Sequence, residues 1–228
     1  MGPPPVDLTA QSCWWDPASG DLVTEIRVVG LGALEAARLD ATADTQVMTV
    51  KGAYADGRWA ELPWSLETTR SGPTLTLHVT TASVPTTLSI THLSVTVVQA
   101  ASIEAPSIEA WKGKALSMWL VRATVRDVMV QSNGIGVELS IRPPVVKPSL
   151  VVVGLQGLHA DVAGHSFLDE GLTGGRGAPS ECVQRVVLLA PPGDQASPGS
   201  GAAELSADGV MVQYPNELTI QMPTSCSS

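Results

Sequence analysis

Glu61, His92 and Asp127 are the residues whose types and spacing could do chemistry. They recur about every 30 residues, each directly before an apolar residue that closes a short repeated pattern. If units of that length stack as coils, the three side chains align, and Glu61 lies about 9.6 Å from Asp127. Carboxylates at that separation are near the upper end of the range used in inverting glycoside hydrolysis. The alternative is an exposed polar row at a corner of the chain.

The repeated pattern is an apolar residue, two intervening positions and a second apolar residue. A regular strand keeps one parity, because successive side chains point to opposite faces, so each such slip indicates a bulge or a corner. The clearest case lies within residues 121–141, where alternation ending at Val125 slips across Arg126 and Asp127 and resumes at Val128. The six slips are Val28/Leu31, Trp59/Leu62, Ile90/Leu93, Val125/Val128, Leu155/Leu158 and Val183/Val186.

Two all-β architectures fit this pattern. The interval favours a β-solenoid, a parallel β-helix with coils of about 30 residues, in which each slip is a corner. In an antiparallel β-sandwich the slips are bulges, and Ser132-Asn133-Gly134 is a hairpin turn. Since 44% of the chain is hydrophobic, apolar pairs three residues apart also arise by chance.

Composition limits the function classes. With 13 Lys and Arg against 22 Asp and Glu, the net charge is −9, which disfavours nucleic acid and anionic lipid as partners. The sequence has no apolar run long enough to span a membrane and no signal-peptide pattern at its start. It has no nucleophile-elbow, zinc-protease or phosphate-loop motif, so we expect no cofactor or metal, and an enzyme is the minority interpretation.

Two smaller groups of residues need an interpretation. The stretch from His159 through Asp161 to His165 could approach a metal ion only if the chain turned at Gly164, and solvated positions beside a turn are the favoured interpretation. The three cysteines can form at most one disulfide within the chain.

The chain reads as a short N-terminal arm followed by one β-rich domain. Residues 1–20 form an extended, proline-rich arm and cap, in which adjacent Trp14 and Trp15 cover an open end of the core. Residues 21–228 form a single domain, with Gly/Pro-rich loops at 171–180 and 190–201.

The other tryptophans divide by their surroundings. Trp59 and Trp119 have apolar parity and are predicted to be in the core. Trp64 follows a proline, and Trp111 follows a segment rich in Pro and Glu, so these two are the candidates for exposed, ligand-binding rings.

The predicted function is a non-enzymatic structural or interaction protein of an extracellular or virion assembly, such as a decoration, tail, spike or adhesive module. We expect protein partners in a homo- or hetero-oligomer. The alternative is a carbohydrate-active protein, either a glycan-binding module or a β-helix glycoside hydrolase or lyase that uses Glu61, His92 and Asp127.

Overall fold

The computed structural model describes residues 7–29, 38–40, 48–68, 74–118, 120–143, 151–169, 174–178, 180–192, 198–214 and 217–226. The chain divides into two compact units. Unit 1 comprises Met1–Val97 and Gln213–Ser228, and unit 2 comprises Val98–Val212. The single domain predicted for residues 21–228 stays a prediction. Among the described residues, no helix has the length and apolar composition that a membrane crossing requires.

Strands dominate the described residues, as the abundance of Val and Thr predicts. In addition, 3-10 turns occupy Glu109–Trp111 and Thr224–Cys226. In chain order the strands are β1 (Asp7–Trp15), β2 (Leu22–Val29), β3 (Arg38–Asp40), β4 (Thr49–Ala53), β5 (Trp59–Glu61), β6 (Trp64–Thr68), β7 (Thr74–Val79), β8 (Thr87–Thr91), β9 (Leu93–Ala105), β10 (Ala115–Ser117), β11 (Arg122–Gln131), β12 (Gly134–Arg142), β13 (Val151–Gln156), β14 (His159–Val162), β15 (His165–Asp169), β16 (Gly174–Ala178), β17 (Glu181–Leu189), β18 (Ala203–Tyr214) and β19 (Leu218–Gln221).

Unit 1 contains two four-stranded antiparallel sheets in a sandwich-like arrangement, with strand orders β1-β2-β7-β6 and β19-β8-β4-β5. Each sheet buries one face, because apolar residues alternate along its strands. In the first sheet the alternation places Leu22 and Ile26 opposite Val79 and Leu75. The corresponding buried residues of the second sheet are Val50, Leu88, Ile90 and Ile220.

A disulfide between Cys13 and Cys226 closes unit 1. Cys13 lies in β1, and Cys226 ends the 3-10 turn that follows β19, with the two Cα atoms 5.4 Å apart. The bond therefore links the two distant segments of the chain from which unit 1 is built. The remaining cysteine, Cys182, is a buried free thiol whose pKa is raised by burial.

Unit 2 is built on an antiparallel sheet that curls into a half-barrel. Its strand order is β10-β11-β12-β17-β15-β14-β18-β9, with β13 pairing with β18 and β16 pairing with β17. The inner face of β12 and β17 carries Ile135, Leu139, Val186 and Leu188, which are buried. The outer face of the same strands carries the even-numbered residues of β12, with the odd-numbered residues of β17 beside them.

Gln184 fixes β13 against the inner face of unit 2. Its side-chain oxygen accepts a hydrogen bond from the backbone nitrogen of Leu155 (2.8 Å), and its nitrogen donates to the Leu155 carbonyl (3.1 Å). Gly154 permits this approach, because a Cβ at that position would lie only 3.2 Å from the Gln184 amide. Gln184 is 2% exposed, so both groups are paired away from water.

Replacing Gln184 with Leu is expected to lower the free energy of unfolding by about 2 to 4 kcal/mol, because the Leu155 N–H and C=O lose their partners. Urea denaturation measures the change. The exposed substitution Arg185→Leu is the control and should cost less, since its ion pair with Glu138 is at the surface. Equal losses in the two variants would contradict this role for Gln184.

The described strands correct the prediction of a β-solenoid. Every strand pair whose register is defined in the described residues is antiparallel, whereas stacked solenoid coils are parallel. The all-β prediction is confirmed. The observed antiparallel sheets resemble the alternative architecture, the antiparallel β-sandwich. The predicted hairpin is also present, since Gln131 pairs with Gly134 across the Ser132-Asn133 turn.

The six parity slips have no common structure. The slip at Arg126 and Asp127 is a β-bulge, as predicted, because the register of β11 and β12 shifts between Val125 and Asp127. The slips at residues 90–93 and 155–158 are breaks between strands, marked by positive φ at His92 (56°) and Gly157 (62°). At 183–186, β17 runs without a slip. At 59–62, Leu62 lies directly beyond the end of β5. Part of the 28–31 slip lies outside the described residues.

Three predicted segments differ in detail from the structure. Residues 7–15 of the predicted arm form β1, which pairs with β2 and extends the sheet. The proline run of the predicted arm lies outside the described residues. Within the predicted loop 171–180, Gly174–Ala178 forms β16 and pairs with β17. Glycine can join a strand ladder because the hydrogen bonds use only the backbone N–H and C=O groups. Of the loop 190–201, residues 193–197 lie outside the described residues.

Candidate functional site

The strand pairing does not align the three residues of the predicted catalytic row. Glu61 lies on β5 opposite Lys51, and His92 joins β8 to β9. Asp127 lies on the β11 bulge, in a different sheet and in unit 2. The hydrogen bond from Lys112 (2.9 Å) lowers the pKa of Asp127, whereas a general acid requires a raised pKa. The predicted catalytic role required the three side chains to be aligned, and the strand pairing does not align them. The catalytic role itself stays a prediction.

The histidine stretch also gives no metal centre. His159 Nδ1 lies 2.9 Å from the Gly157 carbonyl oxygen, and Ser166 donates a hydrogen bond to Asp161. His165 pairs with Val162 across the turn between β14 and β15. In the described part of the chain, no group of three or more His, Cys, Asp or Glu side chains could hold a metal ion.

The two predicted ligand-binding tryptophans are not exposed platforms. Trp111 is 0% exposed, and its indole nitrogen donates to the Ala203 carbonyl (3.2 Å), so the prediction that this ring is exposed is wrong. The 3-10 turn at Glu109–Trp111 directs the ring inward, which composition cannot indicate. Trp64 begins β6 and is half-buried, and Trp119 lies outside the described residues.

Trp59 is the most exposed tryptophan among the described residues, contrary to the prediction that it is a core residue. Its side chain is 68% exposed, because β5 has only three residues and forms the edge of its sheet. The preceding hairpin turn fixes its position. Tyr54 N donates to the Arg58 carbonyl (2.8 Å), and Gly57 has the positive φ (83°) that favours glycine. Asp56 forms an ion pair with Arg58.

The exposed ring borders a groove of about 350 Å³ on the outer face of its sheet. We call it the Trp59 groove. The Lys51 ammonium lies 5.5 Å from the centroid of the Trp59 ring, which is within the range of a cation–π interaction. The remaining lining residues come from two neighbouring strands, β4 and β8, and from one position that precedes β19: Gly52, Ala53, Ser89 and Glu217.

A second surface lies on the outer face of unit 2. Met129 pairs with Gly136, which pairs in turn with Val187 on β17. Two residues further along β17, Leu189 lies opposite Leu168 on β15. Met129 is 61% exposed and Leu168 is 47% exposed. These four apolar side chains, Met129, Val187, Leu189 and Leu168, form what we call the Met129 stripe.

Charged residues border the Met129 stripe on one side. Glu138 accepts a hydrogen bond from Arg185 (2.7 Å), and Asp127 accepts one from Lys112 (2.9 Å). A groove of about 390 Å³ lies between this charged row and Met129. The surface therefore has an apolar centre and a rim that carries both signs of charge.

Glu181 anchors a further cluster on the same outer face. Its carboxylate accepts hydrogen bonds from Ser140, Arg126 (2.5 Å) and Arg142 (3.2 Å). The Ser140 hydroxyl and the two guanidinium groups lower the pKa of Glu181, so it is ionised at neutral pH. Arg126 can reach this cluster because the bulge adds a residue to β11.

Both surfaces had signals in the sequence. Asp56-Gly57 is a strong hairpin signal, and a residue directly after such a turn opens a strand that can be short and exposed. Val128, Met129 and Val130 are consecutive apolar residues beside a second turn, so at least one of them must face outward. Neither signal states which strand forms the edge of the sheet.

Compared with models of known protein families and with curated protein sequences, the chain matches none of them.

Proposed function

We propose that the protein is a non-enzymatic structural or interaction protein of an extracellular or virion assembly, and that the Met129 stripe is a surface on which copies of this chain meet. The observation that carries the proposal is the apolar row from Met129 to Leu168, whose two ends are exposed and whose middle residues, Val187 and Leu189, are half-buried. Such patches mark interaction sites, because leaving them in water is unfavourable.

The composition of the stripe and its rim supports self-association. A two-fold interface brings the same patch of both copies together, so the patch must be complementary to itself. Met129 is a flexible side chain that can adapt to its own copy. The adjacent Asp127–Lys112 and Arg185–Glu138 pairs offer both charges to the facing molecule.

The Cys13–Cys226 disulfide supports the compartment in this proposal. Disulfides persist in secreted proteins and at virion surfaces, and they are rare where thiols are kept reduced.

Sedimentation velocity of the purified chain over a range of concentrations tests the proposal. We expect the wild-type chain to form dimers or larger oligomers, and Met129→Glu to weaken association about a hundredfold by placing a charge at the apolar centre. Leu168→Glu, at the other end of the stripe, should act in the same direction.

Ser117→Glu is the matched control, because Ser117 is exposed on the edge strand β10 and belongs to neither surface. It should leave the sedimentation profile unchanged. A wild-type chain that sediments as a monomer at every concentration, or variants that associate as strongly as wild type, would contradict the proposal.

A further inference from the structure

We infer that the Trp59 groove binds a neutral pyranose glycan. This binding goes beyond the assembly function proposed above and lies in the other unit of the chain. The groove volume of about 350 Å³ falls within the range of small-ligand sites, about 300 to 1,000 Å³.

The first element of the site is the exposed face of the Trp59 ring. The C–H groups on one face of a pyranose ring carry partial positive charge, which complements the negative face of an indole. Because β5 is hydrogen-bonded to β4 and the turn before Trp59 is closed by Tyr54 and Arg58, the ring stands on a rigid element.

The second element is the polar floor beside the ring. Lys51 supplies hydrogen-bond donors, the Ser89 hydroxyl can donate and accept, and Glu217 supplies acceptors. Sugar hydroxyls require this mixture, since each of them donates and accepts. Across the same face, Thr49 and Thr91 share a hydrogen bond (2.6 Å) and extend the row of hydroxyl groups.

The chemistry of the groove favours a glycan over a protein partner. Trp59 is the only large hydrophobic side chain that is exposed on the described strands of its sheet, whereas protein interfaces place several apolar residues at their centre. The Met129 stripe has that second composition.

The charges favour a neutral glycan over an acidic one. Glu61 lies directly opposite Lys51 on the same face, and Glu217 lines the groove, so carboxylates outnumber the single ammonium. The chain also carries a net charge of −9. A uronate or sulfate group would be repelled, while neutral hydroxyl groups would not.

A glycan array followed by calorimetric titration tests this inference. The array should carry neutral hexopyranose oligosaccharides, including glucans, mannans, galactans and chito-oligosaccharides, together with uronic and sulfated glycans. We expect binding to at least one neutral class, and Trp59→Ala should weaken it about ten- to a hundredfold, as expected for the loss of an aromatic anchor.

Trp14→Ala is the matched control, because Trp14 is a second exposed tryptophan of unit 1 (44%) that lies on β1, in the other sheet. It should leave glycan affinity unchanged. Lys51→Met is a second variant that keeps an unbranched side chain beside the ring and removes the donor, so it should weaken binding less than Trp59→Ala.

Three results would overturn the inference: no binding of any neutral glycan, a preference for acidic glycans, or an affinity that Trp59→Ala does not change. Sedimentation keeps this test separate from the assembly proposal, because Trp59→Ala should leave association intact and Met129→Glu should leave glycan affinity intact.

Discussion

Loss of the Cys13–Cys226 disulfide is expected to lower the free energy of unfolding by about 5 kcal/mol, the largest effect that we expect from any single change. The two cysteines are separated by 213 residues, and a cross-link that closes so long a loop restricts the unfolded chain strongly. Unit 1 depends on this link because its last strand, β19, comes from the opposite end of the chain.

Guanidinium denaturation of the oxidised and reduced chains measures this effect. The Cys13→Ser, Cys226→Ser double variant should unfold at the midpoint of the reduced wild-type chain and should not respond to reductant. The buried Cys182 thiol remains in both proteins, so it does not contribute to the difference. Oxidised and reduced chains that unfold at the same denaturant concentration would show that the disulfide does not stabilise unit 1.

Trp111→Ala is expected to lower the free energy of unfolding by about 3 to 5 kcal/mol, since it empties a fully buried site of the largest side chain. It also removes the indole donor from the buried carbonyl of Ala203, which lies 92 residues further along the chain. The ring thus holds the 3-10 turn at Glu109–Trp111 against β18 within unit 2.

Trp111→Phe separates the two contributions, because it keeps most of the apolar ring and removes only the donor. Its expected cost is about 1 to 3 kcal/mol, the range for one unsatisfied buried group. Both variants should be followed by urea denaturation. If Trp111→Ala were as stable as wild type, the ring could not be a core residue of unit 2.

The alternation of apolar and polar residues predicted local structure correctly where that structure depends on one strand or one turn. The all-β class followed from Val, Thr and their alternation, since these side chains favour extended backbone. The bulge at Arg126 and Asp127 was visible because apolar alternation is clear on both sides of it and changes parity between Val125 and Val128. The hairpin at Ser132-Asn133 was visible for the same local reason.

The candidate surfaces were less predictable, and the tryptophans illustrate why. Trp59 has core-like parity but stands on an edge strand, while Trp111 follows a polar segment but turns inward onto Ala203. Exposure depends on what lies across the sheet or above the turn, and those neighbours are distant in the sequence. The Met129 stripe likewise combines side chains from β11, β17 and β15.

The sequence by itself determined the extended backbone, the position of the bulge and the limit of one disulfide. Only the tertiary structure decided the direction in which strands pair, the partner of Cys13 and the face on which each ring lies. A spacing of about 30 residues favours parallel coils but does not exclude antiparallel hairpins, because side-chain alternation has the same period of two in both. Strand direction is set by hydrogen bonds between distant segments, and no short stretch of residues records which segments will meet.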